Sequence, residues 1–582
     1  MNKAAVASAL ALSDPGGAGT PAWLAQSWSD PESLHRALSA HLSASLGAGP
    51  KSALGSAYDL YHDFVTRHLG AGTEALRWLE RGRGWRSLSF EDLDARCRRQ
   101  AQTWVGRGLV AGDVVAVVLP FGAEAVIALL SVWRAGGCVC LLPPDGEDYI
   151  SSRLAALGPT HVVSERSYVS WLGEHADLLL DGARELGAAP APPASAAGRG
   201  SHTYRADEPC ALVFSPLRRP LDAAMPVLAE ALYTSALRDG LVTFALRRGD
   251  RLAAPGFHST QHQPALVAAA LAAGAAYVHV PVDELERTPE LLLGWPVRSL
   301  GVSRRVRDLL LAAHRRTRLG PATSWQHWFR NPEEPLDWSA WSEFVTAFEL
   351  ETTPASNVVV DSADGGAVLG SRRRPGRDYL GALMNVWPAP GRPWMLADAN
   401  GSGQEAVGEA GLMSSPEAPE AVRHFLLAQV HSGEYLYAGV TEPRRSGRVY
   451  PAAEVLAALA ELPFVCQASV VAVLAGGRSV YHRFVLLVFT GAETPAQMSA
   501  QAAQRRQLLE RVITARVGAD ALPDRVDLFP LLARVGEDGA VDHEWCRTQF
   551  LTGALFRKSR LAAYHHLTAL RGASQPPPEA AP

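Results

Sequence analysis

Gly108-Leu-Val-Ala-Gly-Asp-Val-Val-Ala-Val-Val-Leu-Pro120, with the residues that follow to 142, decides the fold class. Gly112-Asp113 is turn chemistry, and residues 114–119 are an apolar, β-branched run of strand length. Residues 123–135 then place apolar side chains all round a helix, Gly136-Gly137 stops it, and Cys138-Val-Cys-Leu-Leu142 is a second apolar strand. Strand, helix and strand at this spacing form a parallel βαβ unit buried on both faces.

The same rhythm extends outward. Residues 91–106 have helical spacing before the unit, and 153–157 followed by 160–163 repeat it afterwards. It returns at 251–255, 264–273 and 276–280. From Tyr435 the character changes: 465–474 and 480–489 read as strands joined through Gly476-Gly477, and 495–516 reads as a long helix. The expected architecture is α/β, a large N-terminal domain of βαβ-type sheets and helices with a small α+β C-terminal lid domain. The expected boundaries are a weakly ordered extension at 1–55, the large domain at 56–438, the lid at 439–572 and a disordered tail at 573–582. Within the extension, Asp30 and Pro31 mark one helix start. Residues 189–199, rich in Ala, Pro and Ser, read as a surface loop.

Composition narrows the function classes. The 582 residues exceed one hydrophobic core. A formal charge of -4 supplies no electrostatic footprint for nucleic acid, and no apolar run is long enough to cross a bilayer. Residues 1–12 lack the build of a secretory signal, and the six scattered cysteines read as reduced thiols; both lead to an expected cytoplasmic location. Cys138 and Cys140 are too closely spaced for a zinc or redox pair, so no metal site is expected. Only Lys3, Lys51 and Lys558 are lysines, leaving residues 52–557 without an ammonium group.

Several separated segments resemble the acyl-CoA synthetase and adenylation-domain superfamily. They are Leu88-Ser-Phe-Glu-Asp-Leu93, the 108–120 stretch, Glu124-Ala-Val-Ile-Ala-Leu-Leu130 and Arg134-Ala-Gly-Gly-Cys138. Further on, Glu333-Glu-Pro-Leu-Asp-Trp-Ser-Ala-Trp341 and Gly447-Arg-Val-Tyr-Pro-Ala-Ala-Glu454 resemble later markers of the family, in the family's order. The resemblance covers about residues 57–570 and implies a large domain plus a mobile lid. Active relatives make an acyl-adenylate from ATP and a carboxylate, then pass the acyl group to the thiol of CoA or of a carrier-protein phosphopantetheine arm.

This sequence departs from the family where ATP chemistry is done. A phosphate loop needs glycines for close backbone approach and a cation. Here Ser215-Pro-Leu-Arg-Arg-Pro-Leu-Asp222 has no glycine, and only Arg218 and Arg219 remain to meet an anion. Against that role stands the plainer one of surface arginines. The family's T-E-T-G-G segment matches Ser362-Ala-Asp-Gly-Gly366, which puts Ala363 where a glutamate holds Mg²⁺. Asp364 is one residue off, on the opposite face if the segment is extended, and becomes a metal ligand only under a one-residue realignment. The ribose-binding T-G-D segment finds no acidic residue in 424–432, the following G-R becomes Gly439-Val440, and Ala540 stands at the catalytic lysine. Together these departures, with no lysine to substitute, imply loss of adenylation, and neither ATP nor Mg²⁺ is expected as a cofactor.

Two functions stay open. One is ATP-independent transfer of an acyl or aryl group between CoA and a carrier-protein thiol, since thioester exchange is near isoenergetic. His258, in Pro255-Gly-Phe-His-Ser-Thr-Gln-His262, is the candidate base for a thiol; its competing role is packing at a helix start. The other is a non-catalytic pseudoenzyme that binds an acyl ligand or a partner protein, and behind both stands a residual acid:CoA ligase that uses substitutes for the lost residues. The tryptophans 325, 328, 338 and 341, and Cys210, are expected in the core.

Overall fold

The computed structural model describes residues 21–80, 82, 84–180, 200–215, 223–257, 264–332, 338–371, 374–375, 385–397, 410–416, 425–429, 434–440, 444–445, 448–475, 481–491, 495–535 and 540–559. The chain divides into two compact units. The first holds residues up to 144 and from 153 to 449, and the second holds 145–152 and the chain from Tyr450 onward.

The first unit begins with a helical pair, α1 (Pro21–Ser29) and α2 (Pro31–Leu46). Asp30 caps α2 by accepting from Ser33 N at 3.1 Å, with Pro31 in the first turn, as the sequence indicated. The rest of the 1–55 expectation does not hold for these residues. Leu34, Leu38 and Leu42 are 0%, 0% and 2% exposed, a stripe at i, i+4, i+8 that docks the pair on the main core. Burying each such leucine contributes about 1.5–3 kcal/mol. Alanine and serine between the leucines lowered the average hydrophobicity and hid the stripe.

The 108–142 stretch forms the unit its pattern dictates. After α3 (Phe90–Gly106), capped reciprocally by Ser89 and Asp92, come β1 (Val114–Val118), α4 (Ala123–Ala135) and β2 (Cys138–Leu142). β1 lies between β2 and β3 (His161–Ser164), parallel to both, and β4 (Pro209–Val213) continues the sheet beyond β2. Cys138, Cys140 and Cys210 are strand residues of this core, each at most 3% exposed.

A second sheet, of fourteen strands among the described residues, is built on a parallel centre. α5 (Ala229–Arg238) leads to β5 (Arg251–Ala253), α6 (Pro264–Ala272) and β6 (Ala276–His279), the second βαβ unit anticipated from sequence. β7 (Ser299–Gly301), β8 (Trp328–Arg330) and β9 (Pro354–Asp361) extend it in parallel. Beyond β9 the pairing turns antiparallel through β10 (Gly366–Gly370) and β11 (Asn385–Pro388). β12 (Met395–Ala397), β13 (Ala410–Ser414), β14 (Phe425–Gln429) and β15 (Tyr435–Val440) complete that end. β15 thus belongs to the first unit, and the seam falls after Val449 rather than at 438. α6 is apolar on every side and buried along its whole length, packed in one core with β1, α4 and α5.

The second unit follows the expected α+β plan. β16 (Gln467–Ala475), β17 (Tyr481–Phe489) and β18 (Arg525–Phe529) form a sheet covered by α7 (Pro495–Arg516), with α8 (His543–Leu551) packed on β16. Residues 145–152 cluster with this unit; the sequence had assigned them to the first.

Candidate functional site

In open α/β sheets ligands bind beyond the carboxyl ends of parallel strands. Two such ends meet in the first unit, β4 running into Ser215 and β9 ending at Asp361. Asp361 is fully buried, and its Oδ1 accepts from Ser215 Oγ at 2.9 Å and from Ala363 N at 3.1 Å. One carboxylate therefore ties together the two segments that the family resemblance assigns to phosphate and metal. Asp361 was not singled out from sequence; its only signal is an acid closing the apolar run Val358-Val-Val360.

The next residues, Ser362–Asp364, form a single 3₁₀ turn rather than an extended segment. The opposite-face argument for Asp364 therefore fails, because side-chain alternation needs a strand. The Ala363 methyl rests half-buried against the main core. The Asp364 carboxylate forms an ion pair with Arg392, whose Nη2 also donates to the Asp364 carbonyl at 2.6 Å and to Ser235 Oγ at 3.0 Å. Ser235 Oγ in turn donates to the same carbonyl at 3.1 Å. Gly365, at φ +69°, presses the turn onto α5, where a Cβ would come within 2.9 Å of the Leu232 Cα. Both its conformation and this approach require glycine.

Directly beneath, α5 loosens into a π-turn over Asp239–Thr243. Asp239 accepts from Arg238 Nε at 2.8 Å, Thr243 Oγ1 at 3.0 Å and Ala367 N at 2.7 Å, while Arg238 Nη2 donates to the Ala367 carbonyl at 2.7 Å. Arg238 and Asp239 are 1% and 3% exposed. Charges buried this deeply persist only when paired and bonded throughout, as these are. His35 of α2 lies beside both arginines; burial first, then the charges of Arg238 and Arg392, push its pKa down to about 3, so it stays neutral.

The sequence candidates distribute as follows. His258, Arg218 and Arg219 lie outside the described residues. Phe257, next to His258, packs at a tilt against a buried aromatic group, its ring 5.6 Å from Phe329, which lies 5.0 Å from Phe244. Val440 is in β15, its backbone paired with Phe425. Ala540 is exposed in the second unit. Trp325, Trp328 and Trp341 form a buried aromatic cluster with Phe344, as expected of core residues. Burial raises the Cys210 thiol well above its ordinary range and pushes Cys138 up to about 12, the opposite of an activated thiolate. Among the described residues no group of His, Cys, Asp or Glu has the arrangement of a metal site, and no helix is long and apolar enough to cross a membrane.

A metal at the turn needs free carboxylate oxygens, and the Asp364 carboxylate is already neutralised by a guanidinium. The Asp361 carboxylate, buried beside the turn, is engaged by the Ser215 hydroxyl and the Ala363 amide.

Residues 27–212 match the AMP-binding enzyme family. Among curated proteins, a probable non-canonical nonribosomal peptide synthetase, CymA, of Salinispora arenicola is 25% identical over 66% of the chain, which is 5% of that protein. The acetyl-coenzyme A synthetase of Mycobacterium tuberculosis is 38% identical over 14% of the chain and 13% of its own length. The chain thus spans only a small part of the curated relatives it matches. Among solved structures, the Brucella canis acyl-CoA synthetase superposes with TM-score 0.54 at 18% identity, covering 88% of this chain and 97% of that one. The amide bond synthetase McbA of Marinactinospora thermotolerans does so with TM-score 0.63 at 16% identity, covering 84% and 99%.

Proposed function

Because the chain has the fold of the adenylate-forming superfamily and matches its AMP-binding family over residues 27–212, we propose that it has given up adenylation. In its place the chain moves an acyl or aryl group between CoA and the phosphopantetheine thiol of an acyl carrier protein, as a step in a biosynthetic pathway. The observation that carries the proposal is the closed state of the turn after β9. Ala363 offers no ligand, Asp364 is held by Arg392, and Asp361 is held by Ser215 and the Ala363 amide.

Thioester exchange needs none of the missing parts. The acceptor thiol loses its proton to a base, and the thiolate attacks the acyl carbonyl carbon. The new C–S bond forms as the bond to the CoA sulfur breaks, and the departing thiolate takes a proton back. The energies of the two thioesters are nearly equal, so positioning and one base suffice. The base we assign is His258, which follows Phe257 and its aromatic neighbours. The relatives' printed names, a peptide synthetase and an acetyl-CoA synthetase, support acyl substrates for this chain and say nothing of the loss of adenylation.

A second reading, a non-catalytic protein binding an acyl ligand or a partner protein, is favoured by one feature. Each carboxylate described at the turn, Asp239, Asp361 and Asp364, is already engaged. ATP–pyrophosphate exchange with a panel of carboxylic acids separates both readings from a working ligase. Exchange at the no-protein background is expected, and robust acid-dependent exchange would overturn the loss of adenylation.

A further inference from the structure

Arg392 does not reach the Asp364 turn unaided. It ends a short loop, residues 389–392, that follows β11 and lies under the N-terminal helical pair. Trp28 Nε1 of α1 donates to the Ala389 carbonyl at 3.2 Å, and the Gly391 amide donates to Ser27 Oγ at 3.3 Å. The Trp28 indole meets Trp394 edge-on at 5.4 Å, and Trp394 meets Tyr435 at 5.0 Å, so the contact continues past the loop into β15. From α2, Leu34 and His35 close on Gly391 so tightly that a Cβ there would stand 2.7 Å from Leu34 Cδ2 and 3.0 Å from His35 Nε2. Gly391 also sits at φ +74°, a conformation an L side chain rarely adopts.

We propose that the helical pair α1–α2 is a strap on the candidate site. It clamps the 389–392 loop so that Arg392 keeps the Asp364 carboxylate and the Ser362–Asp364 turn closed. The turn is then set by an element far away in sequence, 361 residues for the Trp28 bond and 364 for the Ser27 bond. Local conformation alone does not set it. The positioning residues are Gly391, which permits the close approach, and Arg392, which transmits it. No titration is involved: the charged groups around His35 are Arg238 and Arg392, each paired with an aspartate, and His35 stays neutral.

Amide hydrogen exchange on the full chain tests the strap. Gly391→Ala introduces both the clash and the strain, and Trp28→Phe removes one bond without changing the backbone. Each variant is expected to raise exchange in the strap (residues 21–46) together with the Gly365 and Ala367 amides, tenfold or more for Gly391→Ala and less for Trp28→Phe. The sheet of β1, β2 and β3 should remain protected, which separates a local release from global unfolding. Arg392→Lys, which keeps the charge but cannot make the forked contact, should raise exchange at Gly365 and Ala367 while the strap stays protected. If the strap loosens in Trp28→Phe or Gly391→Ala while Gly365 and Ala367 keep wild-type exchange, the turn is independent of it and the proposal fails. Neither outcome depends on whether the chain transfers acyl groups.

Discussion

Replacing Arg392 by alanine tests the closed turn most severely. The Arg392 and Asp364 side chains are 19% and 16% exposed, so the pair is mostly but not fully withdrawn from water. Exposed ion pairs contribute about 0–1 kcal/mol, whereas removing one partner of a buried pair costs about 3–5 kcal/mol because a charge is left uncompensated. The two further bonds from Arg392, to the Asp364 carbonyl and Ser235 Oγ, push the value toward the buried case. A loss of about 2–4 kcal/mol is expected for Arg392→Ala. The assay is urea-dependent pulse proteolysis of the full chain, run as a double-mutant cycle with Asp364→Asn. The double variant should be more stable than Arg392→Ala alone by about 1 kcal/mol or more, since it holds no carboxylate deprived of the guanidinium. If Arg392→Ala costs less than about 0.5 kcal/mol, or if the two single losses simply add, the ion pair does not hold the turn.

Further outcomes follow from neighbouring groups. Asp361→Ala removes the carboxylate that both the Ser215 hydroxyl and the Ala363 amide donate to in a buried place and should cost about 2–4 kcal/mol; Ser215→Ala should cost less, and the reverse order in urea midpoints would contradict the shared carboxylate. His35 and His68 are both held neutral, with pKa values pushed to about 3, mainly by burial and secondarily by nearby arginines. The unfolded chain takes up protons near 6.5 that the folded chain refuses. Stability should therefore fall as pH drops from about 6.5 toward 3, by up to ~1.4 kcal/mol per pH unit for each histidine. His68→Phe should flatten that slope; an unchanged slope between pH 7 and pH 5 would show that His68 is not the cause. Of the six cysteines only Cys466 is exposed, so an aromatic disulfide reagent should titrate one thiol rapidly in the folded protein and all six after denaturation.

How much of this was legible in the sequence depends on how local the cause is. β1, α4 and β2 follow from strand-length apolar runs, a helix-length apolar run and the glycine pair between them, all within 29 residues of one another. The α2 start was legible because Asp30 and Pro31 act on their immediate neighbours. Its docking was not, because three leucines among alanines and serines leave the average unremarkable. The candidate site shows the same division. Ala363 could be placed by motif, whereas the partner of Asp364 stands 28 residues on, brought back by the antiparallel pairing of β10 and β11. Nothing in the spacing of Asp364 and Arg392 announces that contact. Nor does the sequence mark the π-turn at Asp239, whose carboxylate accepts from an amide on β10. The sequence puts Asp364 on the opposite face only if 362–364 is extended; the carboxylate of Asp361, by capping the Ala363 amide, ends the strand instead.

The most direct test of the account is acyl transfer without nucleotide. The purified chain is incubated with acyl- and aryl-CoA and holo carrier protein, and the carrier is weighed intact. The account predicts a carrier heavier by the acyl group, with an equal amount of CoA thiol released, no change on adding ATP, and loss of the reaction in His258→Ala. A carrier that stays unmodified with every thioester, or is loaded only from free acid with ATP and Mg²⁺, would contradict it.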